Sequence, residues 1–237
     1  MTGGAPPADP LVLLPGMLGD ATVWDGVVAA LGPETDVLRP RVDLDDSIAG
    51  LASRVLDEAP ARFALAGHSL GGIVALEAVR RAPARVTRLA LLNTSAGAGS
   101  SAQRAGWARL AERVGRGEFA AVAAELARAT LPAVHRADPG LVSRNENMAG
   151  TVGPDGLRRQ LRAQESRIDL HPSLAAIGVP VLVLSGELDE VSPPALQRDL
   201  AEPIRTARHE TVPGCGHMSP LERPREVAAH LRCWLAR

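Results

Sequence analysis

The feature that most constrains this 237-residue chain is the run Gly67-His68-Ser69-Leu70-Gly71. A short apolar segment over 63–66 precedes the run, and a helix-like segment over 73–81 follows it. Glycines on both flanks carry no Cβ, so a strand and a helix can pass close on either side of a strained serine. Such a turn lifts the hydroxyl clear of a sheet and sets it near the positive end of a helix dipole. The pattern therefore predicts a nucleophile at Ser69, although a Gly-rich turn can also be purely structural.

Short apolar runs alternate with helix-like segments along the chain. Each run is too short for a helix and is bounded by Gly, Pro or Asn, so we interpret it as a strand buried on both faces of a parallel sheet. The predicted strands cover 11–14, 37–38, 63–66, 89–92, 179–184 and 206–212. The helices predicted around them cover 24–31, 47–58, 72–81, 193–200 and 224–236. This order predicts a doubly wound α/β sheet.

The stretch 99–175 breaks the alternation because it contains no convincing strand. It is rich in Ala, Arg, Glu and Leu, with helices predicted over 103–114, 118–130, 139–149 and 155–164. Because it follows the carboxyl end of the strand at 89–92, we expect a helical cap over the catalytic face. The core then comprises residues 1–98 and 176–237, with a loose Pro-rich tail over 1–10. The alternative is a helical layer that only covers the sheet.

Charge and composition argue against several classes of function. Lys and Arg number 26 against 27 Asp and Glu, and the formal net charge of −1 gives no field to attract nucleic acid or an anionic membrane. No apolar run approaches the roughly 18 residues of a membrane span, and the first ten residues lack the features of a signal peptide. Two cysteines, Cys215 and Cys233, make neither a disulfide framework nor a metal site. We expect a cytoplasmic monomer or homodimer that acts on a small molecule without metal or cofactor.

A serine nucleophile needs a base, and the base needs an orienting acid. Among six histidines, His217 lies on a Gly-rich loop over 213–220, just after the last predicted strand. A side chain there reaches the crevice in which α/β sheets bind ligands. His68 flanks the serine in sequence, but we expect its side chain to point away from the hydroxyl. Cys215 lies near His217 and could be a reactive thiol, although we favour a buried structural one.

The acid should lie at the end of a different strand. Glu187, Asp189 and Glu190 all follow the strand predicted over 179–184. We favour Asp189 because a short side chain on a tight turn can hold imidazole in one tautomer. The end of the preceding strand carries Asn93, which cannot be charged.

The transition state of acyl transfer also needs donors for its oxyanion. One would be the main-chain N–H of Leu70, directly after the nucleophile. The second would come from the loop after the first strand, where Gly16 lets the backbone approach and the N–H of Met17 is the candidate. Pro15 and Gly16 could equally form only a turn.

Four segments resemble those of the α/β-hydrolase superfamily over nearly the whole chain: Leu-Leu-Pro-Gly-Met at 13–17, Gly-His-Ser-Leu-Gly at 67–71, Gly-Glu-Leu-Asp at 186–189 and Gly-His-Met at 216–218. The resemblance implies mainly parallel strands with helices on both faces and the triad of a serine esterase. The chain departs from fuller members in having only ten residues before its first predicted strand, so we expect the family's two leading strands to be absent and about six strands to remain. The insertion and the run over 167–174 are similar to those of small cap-bearing esterases, such as pimeloyl-ACP methyl ester carboxylesterases and 3-oxoadipate enol-lactonases.

The expected reaction is hydrolysis of a carboxylic ester through an acyl-enzyme on Ser69. A thioesterase, a lactonase and a non-catalytic small-molecule receptor that keeps the triad are the alternatives. The candidates for an apolar acyl pocket, each of which could also be core, are Met17, Trp24, Trp107, Met148 and Met218. Three side chains of the insertion could bind a carboxylate, but we interpret them as exposed charge: Arg144, Asn145 and Arg167.

Overall fold

A computed structural model describes residues 9–237 of the chain. Its six strands are β1 Leu11–Leu14, β2 Val37–Leu38, β3 Phe63–His68, β4 Val86–Leu92, β5 Val181–Gly186 and β6 Ala207–Val212. They form one sheet in the order β2-β1-β3-β4-β5-β6, and every neighbouring pair is parallel. The predicted six-stranded parallel α/β sheet is confirmed. Most of the tail predicted over 1–10 lies outside the described residues.

The inner strands are buried on both faces, as their continuous apolar runs indicate. Every residue of β1, β3 and β5 is buried. Successive side chains of a strand point to opposite faces, so Val12 and Leu14 pack into one apolar cluster while Leu11 and Leu13 pack into another. Helices therefore cover both faces of the sheet.

Ten helices accompany the strands in the part of the chain that the structure describes. They are α1 Asp25–Leu31, α2 Ile48–Glu58, α3 Leu70–Arg81, α4 Ser101–Gly115, α5 Phe119–Ala129, α6 Pro139–Glu165, α7 His171–Leu174, α8 Pro194–Ala201, α9 Ser219–Glu222 and α10 Pro224–Leu235. The start of the helix predicted over 24–31 is a 3-10 turn, Ala21–Trp24, and the short helices α7 and α9 were not predicted.

The insertion between β4 and β5 is entirely helical and comprises α4 to α7. Helix α6 is interrupted at Gly153, where φ is +69°, so the two helices predicted there are separate segments joined at a kink. Gln160 of α6 accepts the Leu18 N–H at 2.9 Å and donates to the Val42 carbonyl oxygen at 3.3 Å. Leu18 lies in the loop after β1, so the insertion contacts the carboxyl edge of the sheet.

Between residues 9 and 237, no helix is both long enough and apolar enough to cross a bilayer. Cys215 and Cys233 are both free. The cytoplasmic location and the monomeric or homodimeric state remain predictions.

Candidate active site

Ser69 stands on a strained turn between β3 and α3. Its φ of +51° and ψ of −116° are unusual for a residue with a side chain. A Cβ on Gly67 would lie 2.3 Å from the Gly71 carbonyl oxygen, and one on Gly71 would lie 2.5 Å from the Leu14 carbonyl oxygen. Both positions therefore require glycine, because three backbone segments meet at this turn.

Backbone strain is concentrated around this turn. Among the described residues, the only non-glycine residues with positive φ are Leu18, Ser69 and Asn93. They lie after β1, β3 and β4 respectively, and all three line one cavity. Strain of this kind costs about 1–3 kcal/mol per residue and clusters at functional sites.

The structure brings Ser69, His217 and Asp189 into one hydrogen-bonded chain. His217 Nε2 lies 2.9 Å from Ser69 Oγ, and His217 Nδ1 lies 3.0 and 3.1 Å from the Asp189 carboxylate oxygens. An ionised carboxylate only accepts, so Nδ1 carries the proton and Nε2 accepts from the serine hydroxyl. Glu187 and Glu190, the alternative acids, are both exposed.

The Asp189 carboxylate is buried, yet it stays ionised. Burial alone would raise its pKa, but hydrogen bonds from His217, the Ser192 N–H and Asn93 together lower the pKa below its ordinary value. The Ser192 N–H lies 2.9 Å away and Asn93 Nδ2 lies 2.8 Å away. Asn93, passed over as the acid, is thus a hydrogen-bond donor to Asp189.

A second buried carboxylate, Glu222, holds the backbone of the His217 loop. It accepts the main-chain N–H groups of Gly216 and Met218, each at 2.8 Å, and the Nδ1–H of His135 at 2.5 Å. Sequence reasoning assigned Glu222 no role. The available signal was its place five residues after His217, at the end of the short helix α9.

His68 braces the same loop from the other side. Its ring is buried, and its Nε2–H donates to the His217 carbonyl oxygen at 2.7 Å. Burial and, second, the nearby His217 lower the pKa of His68 to about 3, so the ring is neutral. As expected, the ring makes no hydrogen bond to the Ser69 hydroxyl, but its contact with the His217 backbone was not predicted.

Two main-chain amides near Ser69 donate to no other group among residues 9–237. One belongs to Leu70, at the first turn of α3, where a helix leaves N–H groups unpaired. The other belongs to Met17, in the loop after β1. This loop approaches the nucleophile closely, since a Cβ on Gly16 would lie 3.1 Å from Ser69 Cβ.

A cavity of about 330 Å³ adjoins Ser69. Among the predicted pocket residues, Met17, Trp107 and Met218 line it. The expectation for Trp24 and Met148 is wrong, because both are buried in the apolar cluster that contains Leu11 and Leu13.

The interpretation of three polar side chains as exposed charge holds only for Arg144. Asn145 is buried and lines the cavity, with its Nδ2 donating to the Ala127 carbonyl oxygen at 2.9 Å. Arg167 also lines the cavity and is only partly exposed. The buried side of Asn145 depends on the phase of α6 against the sheet, and the burial of Arg167 depends on distant contacts with Ser95 and Gly97, neither of which the sequence shows.

Cys215 was the other candidate for a reactive side chain near His217. Burial, followed by the nearby Glu222, raises the pKa of the Cys215 thiol well above its ordinary value. The thiol is fully buried, which supports the structural interpretation. Within the described part of the chain, no group of three or more His, Cys, Asp or Glu side chains is arranged to hold a metal ion.

The fold and these residues define a class of protein. The chain belongs to the alpha/beta hydrolase family, whose model matches residues 11–230. The resemblance inferred from the sequence motifs is confirmed.

Individual relatives share most of the chain. A pimeloyl-acyl-carrier-protein methyl ester esterase of Nitrosomonas europaea is 27% identical over 96% of this chain and 95% of its own length. The solved structure of a thermophilic esterase from Thermogutta terrifontis, with malate bound, is 27% identical and superimposes with a TM-score of 0.87 over 96% of this chain and 89% of that one. The enol-lactonase from Burkholderia xenovorans LB400 is 26% identical, with a TM-score of 0.85 over 100% of this chain and 94% of that one.

Proposed function

We propose that this protein is a serine esterase that hydrolyses carboxylic esters of small or medium acyl groups through an acyl-enzyme. The observation that carries the proposal is the hydrogen-bonded chain from Ser69 through His217 to Asp189 at the wall of a cavity. Membership of the alpha/beta hydrolase family and the esterases among its relatives support the same reaction.

In the proposed mechanism, Ser69 Oγ attacks the acyl carbon while His217 Nε2 takes its proton. The imidazolium then gives that proton to the leaving alcohol as the ester C–O bond breaks. Water, activated by the same imidazole, attacks the acyl-enzyme and releases the acid. Asp189 holds the imidazole in the required tautomer and stabilises its cationic form throughout.

The two unpaired amides, of Leu70 and Met17, are the proposed oxyanion donors. Neither has another acceptor in the described chain; one lies at the start of α3, directly after Ser69, and the other lies in the loop after β1, which passes close to Ser69. Donors that are already oriented need no rearrangement as charge develops, and each typically contributes about 2.7–4 kcal/mol to the transition state.

The helical insertion is the proposed cap, with residues 99–175 separate from a core of 1–98 and 176–237. Several cavity-lining residues belong to the insertion, among them Trp107, Leu110, Leu126 and Gln164. A cap that forms part of the cavity wall sets which acyl groups fit, whereas a layer that only covered the sheet would leave the cavity unchanged.

The decisive experiment replaces the nucleophile. Ser69→Ala should remove nearly all hydrolysis of p-nitrophenyl butyrate, leaving at most the residual catalysis of binding and oxyanion donors, roughly 10³–10⁴-fold over water. A fluorophosphonate should modify Ser69 in the native protein, as mapped by peptide mass spectrometry. If the fluorophosphonate modified Ser95 instead, a residue that also lines the cavity, the assignment of Ser69 as the nucleophile would be refuted.

Hydrolysis of lactones and of thioesters would use the same chemistry. The likeness to an enol-lactonase favours testing lactones beside esters, and acyl thioesters complete the comparison. A receptor that keeps the triad would release at most one equivalent of nitrophenol, so repeated turnover separates an enzyme from a binding protein.

A further inference from the structure

One cationic side chain, Arg167, forms part of the cavity wall beside Ser69. Its Nη2 donates to Ser95 Oγ at 2.8 Å and to the Gly97 carbonyl oxygen at 2.6 Å, and its Nη1 donates to Gln164 Oε1 at 3.2 Å. All three acceptors are neutral. Its Nε is buried and has no hydrogen-bond partner.

This guanidinium is partly removed from water without receiving a counter-charge. Burial lowers the pKa of Arg167 to about 10, and no carboxylate of the described chain acts in the opposite direction. The group is therefore still a cation at neutral pH. Removing an ion from water without pairing it is costly, so an anion bound beside it would be stabilised.

The rest of the cavity wall supplies no compensating charge. Among residues 9–237, none that lines it is Asp, Glu or Lys, and Arg167 is the only arginine that does. Asp189 is not part of the wall, because it lies behind His217. The side chains near Arg167 are neutral and polar, such as Gln164, while Trp107 and Met17 give the wall an apolar part.

Arg167 is linked to the nucleophile through adjacent residues. Its partner Ser95 follows Thr94, and Thr94 Oγ1 donates to the Ser69 carbonyl oxygen at 2.7 Å. Ser69 and Arg167 also line the same cavity of about 330 Å³. An acyl chain bound at Ser69 would therefore extend within a cavity that Arg167 also lines.

We propose that Arg167 binds a carboxylate at the far end of the acyl chain, and that the preferred substrates are half-esters of short dicarboxylic acids. The proposal rests on the esterase function above and narrows its substrate class. Hydrolysis adds the hydroxyl of water to the acyl carbon and its hydrogen to the leaving alkoxide, which gives a free dicarboxylate. One guanidinium matches the single charge of a carboxylate, whereas a phosphate group carries about −1.5 to −2 at neutral pH.

The test compares two esters that differ only in charge. Monomethyl glutarate and methyl 4-carbamoylbutanoate have the same length, but the first ends in a carboxylate and the second in an amide. We expect kcat/KM of the native enzyme to favour the charged ester by about tenfold or more, the scale of a hydrogen bond to a charged group. Monomethyl succinate and adipate then define the preferred length.

Variants of Arg167 test whether this side chain causes the preference for the charged ester. Arg167→Gln should bring the ratio of charged to neutral ester towards unity, and Arg167→Lys should keep part of it. Arg162→Gln is the control, since Arg162 is an exposed arginine near the end of α6, five residues before Arg167, and it pairs with Asp46. The control should keep the native ratio.

Three outcomes would overturn the proposal. They are equal turnover of the two esters by native enzyme, an unchanged ratio in folded Arg167→Gln, and tighter inhibition by inorganic phosphate than by glutarate. If Arg167→Gln does not fold, inhibition of native p-nitrophenyl butyrate hydrolysis decides, and glutarate must then inhibit more strongly than glutaramide. In each case, loss of butyrate turnover in Ser69→Ala shows separately that the esterase function stands.

Discussion

The carboxylate of Glu222 accepts the main-chain N–H groups on both sides of His217, from Gly216 and Met218. Its side chain is fully buried, and His135 of the insertion donates to it. The loop that carries His217 is thus fixed by a residue that, among the described hydrogen bonds, makes none to Ser69 or to the His217 side chain. Glu222 also connects the insertion to this loop.

Glu222→Gln should lower kcat for p-nitrophenyl butyrate by about 10²-fold, with KM nearly unchanged. An amide cannot accept both N–H groups as a carboxylate does, so the loop shifts, and a displacement of about 1 Å has this scale of effect. The measurement is steady-state kinetics well below the unfolding temperature. Glu226→Gln, at an exposed position of α10, is the control. If Glu222→Gln kept a normal kcat but had a lower Tm, Glu222 would contribute to the stability of the fold and not to catalysis.

Asp189→Asn should reduce kcat by about 10⁴-fold, because the amide no longer fixes the His217 tautomer. Glu187→Gln and Glu190→Gln should have small effects, since both side chains are exposed and neither contacts His217. Kinetics of the three variants side by side check the assignment. If Glu190→Gln lost its activity while Asp189→Asn stayed active, Glu190 rather than Asp189 would be the acid.

Trp107→Ala should change the preference among p-nitrophenyl esters of increasing chain length. Its ring lines the cavity, and one lost pocket contact alters discrimination by about 1–3 kcal/mol. Met148→Ala should instead lower the free energy of unfolding by about 2–5 kcal/mol and leave the length profile unchanged, because its side chain is buried in a core cluster. The opposite pattern would exclude Trp107 from the acyl site.

His68 should make the protein less stable in acid. Its pKa is about 3 in the folded state and near 6.5 when unfolded, so between these values the unfolded chain binds the extra proton. The stabilisation is present above pH 6.5 and is lost towards pH 3, by at most roughly 1.4 kcal/mol per pH unit. Urea unfolding of native protein and His68→Gln at pH 7 and pH 5 measures it, and the variant should show the smaller decrease. Parallel decreases would contradict the role of His68.

Local patterns predicted the sheet and the members of the triad. Glycine spacing at 67 and 71 reflects close backbone contacts within one turn, and apolar runs reflect burial within one strand. These patterns depend on residues that are close together in sequence, so they can be identified from one sequence alone.

The supporting residues could not be found in this way. His68 acts on the His217 backbone, and Asn93 acts on Asp189, across 149 and 96 residues of sequence. The burial of Arg167, in the segment after α6, depends on contacts with Ser95 and Gly97, which lie 72 and 70 residues away in sequence. Contacts of this kind follow from tertiary packing and leave no periodic mark in the sequence.

The hydrogen bond between Ser69 and His217 joins residues 148 positions apart. The loops after β1, β3, β4, β5 and β6 all contribute to the site, so no contiguous fragment contains it. Forming contacts between residues so far apart in sequence is slow, because the entropy cost of closing the intervening loop is incurred before the contact stabilises the fold. A slip of one residue in any of these strands moves its loop by about 3.3 Å. Recovered turnover during refolding therefore reports completion of the whole sheet, a stage that helix content alone does not detect.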